Sequence, residues 1–228
     1  MRAYQRADEE NRRTIAQLML PAPGGVLLDV GCAGGEDAVR LRERVGAARA
    51  LGLELAEQFI ELARGRGVDV RRADVSEPWP IESGSIDALH SNQVIEHLAR
   101  TDHFMGEVRR VLKPSGYAVL STNNLSSWHN VVALLFGWQP LPCHVSEEAP
   151  NAGNPLALEG AGTYGEGIHR HLRIFTGRAL IDLATHHGLA LDRAAGSGYY
   201  PLGARASRVM ARLDRTHSVY LVHRYRPA

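Results

Sequence analysis

From Val26 to Thr122, short apolar runs alternate with amphipathic segments at a nearly fixed pitch, and that alternation leaves few folds open. The spacing predicts strands over 26–30, 50–54, 68–73, 86–91 and 117–122, and helices over 36–45, 56–64 and 103–112. Strands separated by helices read as βαβ units, which lie parallel in one sheet with helices on both faces. The strands are near-continuous apolar runs, as expected where a helix covers each face. A helix over 8–20 precedes them, stopped by Pro21 and Pro23. The rhythm breaks after Thr122. Residues 126–137 read as an apolar helix with a Ser cap, and 138–168 as a long irregular segment rich in Pro, Gly, Asn and Glu. Loops that long in a compact domain are functional lids or disordered. A helix over 177–187 follows, with Thr176 as N-cap. Strands over 189–196 and 217–225 with a helix over 204–213 between them end the chain, with an antiparallel edge possible there.

At 228 residues, one α/β domain is expected. Twenty-six basic against 25 acidic side chains leave a net charge of +1, which argues against broad binding to nucleic acid or anionic lipid. Lys113 is the lone lysine, so any Schiff-base chemistry would fall to it. The two cysteines, Cys32 and Cys143, make no disulfide framework and no CxxC pair. The charged start MRAYQRADEENRR has no apolar signal core, and no run approaches the ~18 apolar residues of a membrane span. A cytoplasmic protein with reduced thiols is expected.

The chemistry concentrates at strand ends. Val30 runs into Gly31-Cys32-Ala33-Gly34-Gly35-Glu36, a turn that lets a ligand approach the backbone. The same turn also serves a bare strand-to-helix connection. A dinucleotide fingerprint needs glycines at 31, 33 and 36, and here Ala33 and Glu36 stand at two of them. Glu36 adds negative charge where a pyrophosphate would sit, so a neutral or cationic ligand suits the turn better. No GKS or GKT is present, which excludes a P-loop. Glu54 ends the second strand, placed to accept from both hydroxyls of a ribose, or simply to start a helix. Asp74 ends the third, placed to accept an amino hydrogen of a base, or simply to form a turn.

Together, VLLDVGCAGGEDAVRL, LGLEL, ADVSEPWPIESGSIDALHSNQVIEHL and EVRRVLKPSGYAVLSTNN resemble class I S-adenosylmethionine-dependent methyltransferases, in particular the group similar to quinone-biosynthesis methyltransferases. The resemblance covers about residues 25–125. It implies an α/β, doubly wound, seven-stranded, mostly parallel sheet with an antiparallel last strand. It implies S-adenosylmethionine as cofactor and S-adenosylhomocysteine as product. Asp29, Gly31, Cys32, Ala33 and Gly34 would line the methionine and ribose side, and Glu54 and Leu55 the ribose. Asp74 and Val75 would flank the adenine, with Asn92 and Gln93 near the methyl. The family usually has glycine at Ala33, and Pro114-Ser115-Gly116 replaces its usual Pro-Gly-Gly.

Methyl transfer from a sulfonium is an in-line displacement in which the protein aligns the partners and excludes water. A base is required only for a protonated nucleophile such as an alcohol. Candidates are His97, His171 and His169. His97 is read chiefly as shaping the pocket, and the other two serve equally as loop tethers. The expected acceptor is a small molecule, methylated on oxygen first and nitrogen next, with no nucleic-acid partner. Tyr4, Asn123, Trp128, His129, His144, Arg173, Tyr199 and Tyr200 are the candidate acceptor contacts. The helix after Trp128 reads either as core or as a wall of that pocket. The expected plan is a helical cap over 1–24, a cofactor core over 25–123, an acceptor lid over 124–175 and a C-terminal helix–strand–helix–strand over 176–228. Cys143, His144, His169 and His171 fit no structural zinc spacing, so no metal is expected. Asp182 and His186 read as a helix-surface pair. The alternatives are a nicotinamide-dependent oxidoreductase, which shares the glycine turn and Glu54, and a non-catalytic cofactor-binding partner.

Overall fold

The computed structural model describes residues 3–146, 148–149, 152–155 and 171–228. Strands β1 (Val26–Val30), β2 (Arg49–Glu54), β3 (Asp69–Arg72), β4 (Ile86–Asn92), β5 (Leu112–Asn123), β6 (Leu189–Ser197) and β7 (Tyr220–Pro227) form one sheet in the order β3-β2-β1-β4-β5-β7-β6. β7 is antiparallel to both neighbours, and the pairs among β1 to β5 are parallel. The expected antiparallel last strand is thus inserted beside β5, and the sheet edge belongs to β6. Helices α1 (Ala3–Leu18), α2 (Glu36–Val45), α3 (Glu57–Gly65), α4 (Thr101–Val111), α5 (Trp128–Leu135), α6 (Gly177–His186) and α7 (Ala204–Leu213) complete the chain.

Alternation along each strand builds two cores. Leu27, Ala88, Val119 and Val222 point to the face covered by α1 and α2, where Ile15, Leu18, Leu41 and Val45 meet them. Leu28, Leu89, Leu120 and Leu221 point the other way, onto Phe104, Met105 and Val108 of α4 and Leu180 of α6. Both faces are covered, so the central strands are apolar at successive positions. Thr176 accepts from the Ala179 amide at 3.2 Å, as its N-cap position predicts. Ser127 precedes α5 in extended conformation, but its hydroxyl makes no cap bond.

The structure corrects one expectation and settles two open readings. The strand expected over 217–225 starts later, at Tyr220, because Arg215–His217 wind into a 3₁₀ turn that Asp214 caps: its carboxylate accepts from His217 N at 3.3 Å. The apolar helix after Ser127 is no core element. Only Asn130 and Ala133 are buried, while Leu135 is 79% and Phe136 is 67% exposed. Lys113 is held by Asp87 at 2.7 Å near the amino-terminal end of β4, opposite the rim where open α/β sheets bind ligands, so it offers no Schiff-base amine there.

α1 is fastened to the sheet by polar contacts that no local pattern announces. Fully buried Asn11 donates to Asn92 Oδ1 at 2.9 Å and accepts from Ser121 Oγ at 3.1 Å. Asn11→Ala strands both partners, and a buried group left unsatisfied costs about 1–3 kcal/mol. A urea midpoint lowered to match that cost is the expected result; an unchanged midpoint refutes the assignment.

Candidate active site at the carboxyl rim of the sheet

The carboxyl ends of β1, β2, β4 and β5 meet along one rim. At β1, Gly31 has φ +73°, and a Cβ there would lie 2.5 Å from Val94 Cγ2, so only glycine fits. The Gly31 and Cys32 amides both donate to the Leu53 carbonyl. Ala33 sits at φ +42° without being glycine, a strained position of the kind that clusters at functional sites. Relieving it costs nothing in packing: Ala33→Gly should raise stability by about 1 kcal/mol. Thermal denaturation checks this, and a lowered midpoint refutes it.

Glu54 organises the turn. Its Oε2 accepts from the Ala33 amide at 2.9 Å, and its Oε1 from the Leu55 and Ala56 amides at 2.8 and 3.0 Å. The carboxylate therefore couples the β1 turn to the start of α3. Glu36 does not leave its charge uncompensated, as the sequence suggests, because Arg66 pairs with it at 2.6 Å and also donates to the Gly34 carbonyl. Leu55 is half exposed beside Glu54. Asp74 is exposed and accepts from the Ser76 amide at 2.8 Å, the turn-forming geometry; Val75 rests on the core below it.

Two assignments on β1 take a different form from the expected one. Asp29 is buried, with Oδ1 2.7 Å from His90 Nδ1, while its Oδ2 and His90 Nε2 have no hydrogen-bond partner. The Asp29 carboxylate counters the penalty of burying His90 and holds the imidazole above its usual range. Cys32 turns its thiol inward against Gly52, where a Cβ would meet Sγ at 2.6 Å, and burial pushes the thiol up to about 12. Only its backbone is turned to the rim.

The ends of β4 and β5 carry the polar cluster. Gln93 is strained at φ +56°; its Oε1 accepts from Asn123 Nδ2 at 2.9 Å, and its buried Nε2 has no partner. After it, Ile95–His97 form a 3₁₀ turn. Glu96 is fully buried, accepting from Thr122 Oγ1 at 2.9 Å and Asn123 Nδ2 at 3.3 Å, and burial raises its carboxyl to about 7. The His97 and His171 rings are 4.8 Å apart, and His144 stacks on His171 at 5.1 Å. Burial and the neighbouring His97 lower His171 to about 4, and its Nδ1 lies 3.0 Å from the Pro142 carbonyl. The hydrogen therefore sits on Nδ1, leaving a lone pair on Nε2. Glu96 was not singled out by sequence, although it adjoins His97; its burial is a tertiary property.

The remaining acceptor candidates form a second group. His129 meets Tyr200 edge to face at 5.2 Å, and desolvation lowers His129 to about 4. Trp128, 45% exposed, stacks on His217 at 4.3 Å and donates to Asp214, whose carbonyl accepts from the buried Tyr199 hydroxyl. Arg173 is exposed and donates to the Ala99 carbonyl, so it tethers the chain. His169 and the side chain of Tyr4 lie outside the described residues. A separate groove of about 990 Å³ between α1, β6 and α7 contains none of these candidates.

The segment after β5 starts from a pinned base. Asn124 and Phe175 pair as a β-bridge, Leu125 N donates to the Phe175 carbonyl, and buried Asn124 Nδ2 donates to the Thr216 and Ser218 carbonyls. No helix among the described residues is long and apolar enough to cross a membrane.

Residues 28–120 match a family described as a methyltransferase domain. The chain is 26% identical over 209 residues to a ubiquinone biosynthesis O-methyltransferase of Chromobacterium violaceum, covering 87% of this chain and 77% of that protein. It is 31% identical over 173 residues to a probable S-adenosylmethionine-dependent methyltransferase of Mycolicibacterium smegmatis, covering 75% and 63%. Of other curated relatives it spans less, down to 36% of an uncharacterized transposon protein of Streptomyces fradiae. A solved S-adenosylmethionine-dependent methyltransferase from Mesorhizobium loti superposes with a TM-score of 0.65 at 18% identity, over 96% of this chain and 97% of that one.

Proposed function

Because residues 28–120 are a methyltransferase domain of the class I S-adenosylmethionine-dependent family, we propose that the whole chain methylates a small molecule, on a hydroxyl in preference to an amine. The residues suit the cofactor. Asp29 Oδ2, a buried carboxylate oxygen with no partner, offers an acceptor near the β1 turn, and Gly31 leaves that turn open to close approach. Gly31, Ala33 and Gly34 would line the methionine side, Glu54 the ribose, Asp74 and Val75 the adenine, and Asn92 and Gln93 the methyl end. S-adenosylmethionine supplies an electrophilic methyl on sulfur.

The observation that carries the hydroxyl preference is the imidazole pair beyond Gln93. A hydroxyl must lose its proton as it becomes a nucleophile. His171 presents an Nε2 lone pair, and Asn123 Nδ2 lies 3.4 Å from that atom. An acceptor docked against His97 and His171 gives up its proton there while Gln93 and Asn123 orient its oxygen. Pro142, His144 and His171 crowd together at this end, and that crowding would help to exclude water. Trp128, His129, Tyr199 and Tyr200 border the rest of the acceptor. The likeness to ubiquinone biosynthesis O-methyltransferases supports oxygen as the target; a solved neighbour titled a possible histamine N-methyltransferase keeps amines in the screen.

The oxidoreductase alternative is disfavoured by topology. Dinucleotide folds order their strands 3-2-1-4-5-6. Here an antiparallel β7 stands between β5 and β6. Calorimetric titration of cofactor-stripped protein with S-adenosylhomocysteine and, in parallel, NADH tests the reading. Micromolar binding of the first alone is expected. Binding of NADH alone, or of neither, overturns it. Turnover across hydroxyl and amine acceptor pools then separates oxygen from nitrogen, and distinguishes an enzyme from a cofactor-binding partner.

A further inference from the structure

The groove between α1, β6 and α7 carries a charge that the chain as a whole does not. It encloses about 990 Å³, a volume suited to a small organic ligand. Six arginines line it, Arg13, Arg193, Arg208, Arg212, Arg215 and Arg224, against two carboxylates, Glu10 and Asp192. The chain's net charge is only +1, so the surplus is local.

Both carboxylates are already shared. Glu10 pairs with Arg208 at 3.0 Å and with Arg13 at 3.5 Å, and Arg13 also reaches Glu9 at 3.6 Å. Asp192 pairs with Arg224 at 2.6 Å and with Arg226 at 3.1 Å. Arg193, Arg212 and Arg215 are exposed and have no paired acid among the described residues. Like charges around one concavity repel each other, and low-dielectric walls focus their field onto an anion.

The floor of the groove points to a ligand independently. Ser197, at the carboxyl end of β6, is 2% exposed, and its hydroxyl has no hydrogen-bond partner among the described residues. A buried hydroxyl left without a partner is costly, and an oxygen of a bound anion would satisfy it. Arg215 comes in beside it: a Cβ on Gly196 would lie 2.8 Å from the Arg215 carbonyl. Arg193 stands four residues earlier on the same strand, so the floor runs about 13 Å at ~3.3 Å per residue. Arg208 and Arg212, one turn apart on α7, stand along the side. Guanidinium groups match phosphate oxygens in bidentate pairs, which makes arginine the usual choice for such anions.

We propose that this groove binds a small molecule bearing two or more phosphates, laid along β6 from Ser197 and Arg215 towards Arg193. Residues of α1, β6 and α7 all face the ligand, so its binding ties the three elements together. The site shares no residue with the proposed cofactor and acceptor contacts, and it stands whether or not the chain is a methyltransferase.

The test is calorimetric titration of the full chain with inorganic tripolyphosphate at about 150 mM salt, where loose surface charge is screened. Saturation near one equivalent is expected, with orthophosphate at least about tenfold weaker. Arg193→Gln, Arg212→Gln and Arg215→Gln should each weaken binding about tenfold, the worth of a hydrogen bond between charged groups. Ser197→Ala should weaken it several-fold. Arg178→Gln, on α6 across the sheet, should leave it unchanged. Circular dichroism confirms that each variant is folded. No saturable binding by the native chain, or full affinity in the folded groove variants, overturns the proposal. An equal loss in Arg178→Gln, or equal affinity for orthophosphate, also overturns it. Displacement of tripolyphosphate by S-adenosylhomocysteine would put the anion at the cofactor rim and overturn it too. So would binding to phosphatidylglycerol vesicles with none to tripolyphosphate, which would make the arginines a membrane-facing surface.

Discussion

Glu54→Ala should lower S-adenosylhomocysteine affinity by about two orders of magnitude, the largest effect on binding expected of any rim substitution. A hydrogen bond to a charged group is worth about 1.5–3 kcal/mol, and the Glu54 carboxylate is placed to take two from a ribose. It also fixes the Ala33, Leu55 and Ala56 amides, so alanine loosens the β1 turn as well as the proposed ribose seat. Glu54→Gln separates the two contributions. The amide keeps one oxygen but points an N–H at a backbone donor, so affinity should fall with the turn still closed. Calorimetry gives both affinities, and hydrogen exchange at the Ala33 amide reports the turn. Unchanged affinity in Glu54→Ala removes Glu54 from the site.

Phe104→Ala should cause the largest loss of stability. Phe104 is fully buried on α4, edge to face with Trp79 at 5.5 Å, in the core that also holds Leu28, Leu89 and Leu120. Removing a buried phenyl costs about 3–5 kcal/mol, because the cavity collapses only in part. Trp79 has limited freedom to fill it: its backbone N donates to Glu107 Oε2 at 2.7 Å and its indole N–H to the Val75 carbonyl at 3.1 Å. Val75 lies next to Asp74, so the same substitution should also soften the rim at the end of β3, where the adenine is proposed to sit. Urea denaturation followed by Trp fluorescence measures the loss; a midpoint shift worth under about 1 kcal/mol refutes the packing argument.

The parallel half of the sheet is legible in the chain because its strands are buried on both faces and its helices are amphipathic. Periodicity alone then locates β1 to β4 within a residue or two, whereas β5 starts five residues before the expected Tyr117, at Leu112, since Lys113-Pro114-Ser115-Gly116 carries no apolar signal. β7 is harder to place in the sheet. Nothing in Tyr220–Pro227 states that it runs beside β5, since both antiparallel pairings are long-range. At the site, Gly31, Glu54, Asp74 and Gln93 can be found by position, since each lies at the carboxyl end of a strand or within two residues of it. Residues that act through burial cannot. Asn11, Glu96 and the Asp29–His90 pair show their roles only when segments far apart in sequence meet. The contacts of Trp128 with Asp214 and of Arg173 with the Ala99 carbonyl are likewise invisible in the sequence, because both partners come from other segments.

The bridge between Asn124 and Phe175 has a consequence for how such a chain diversifies. Both ends of the intervening segment are fixed at one point of the scaffold, by the bridge and by the Asn124 bonds to the Thr216 and Ser218 carbonyls. Lengthening a loop whose ends are already joined costs only about 0.6 kcal/mol per doubling. If the segment forms the acceptor side as proposed, it is an exchangeable cassette: its length and lining could drift to meet new acceptors while the rest of the scaffold stays fixed. Grafting the corresponding segment of a relative between these two anchors should change what is methylated before it changes whether the protein folds.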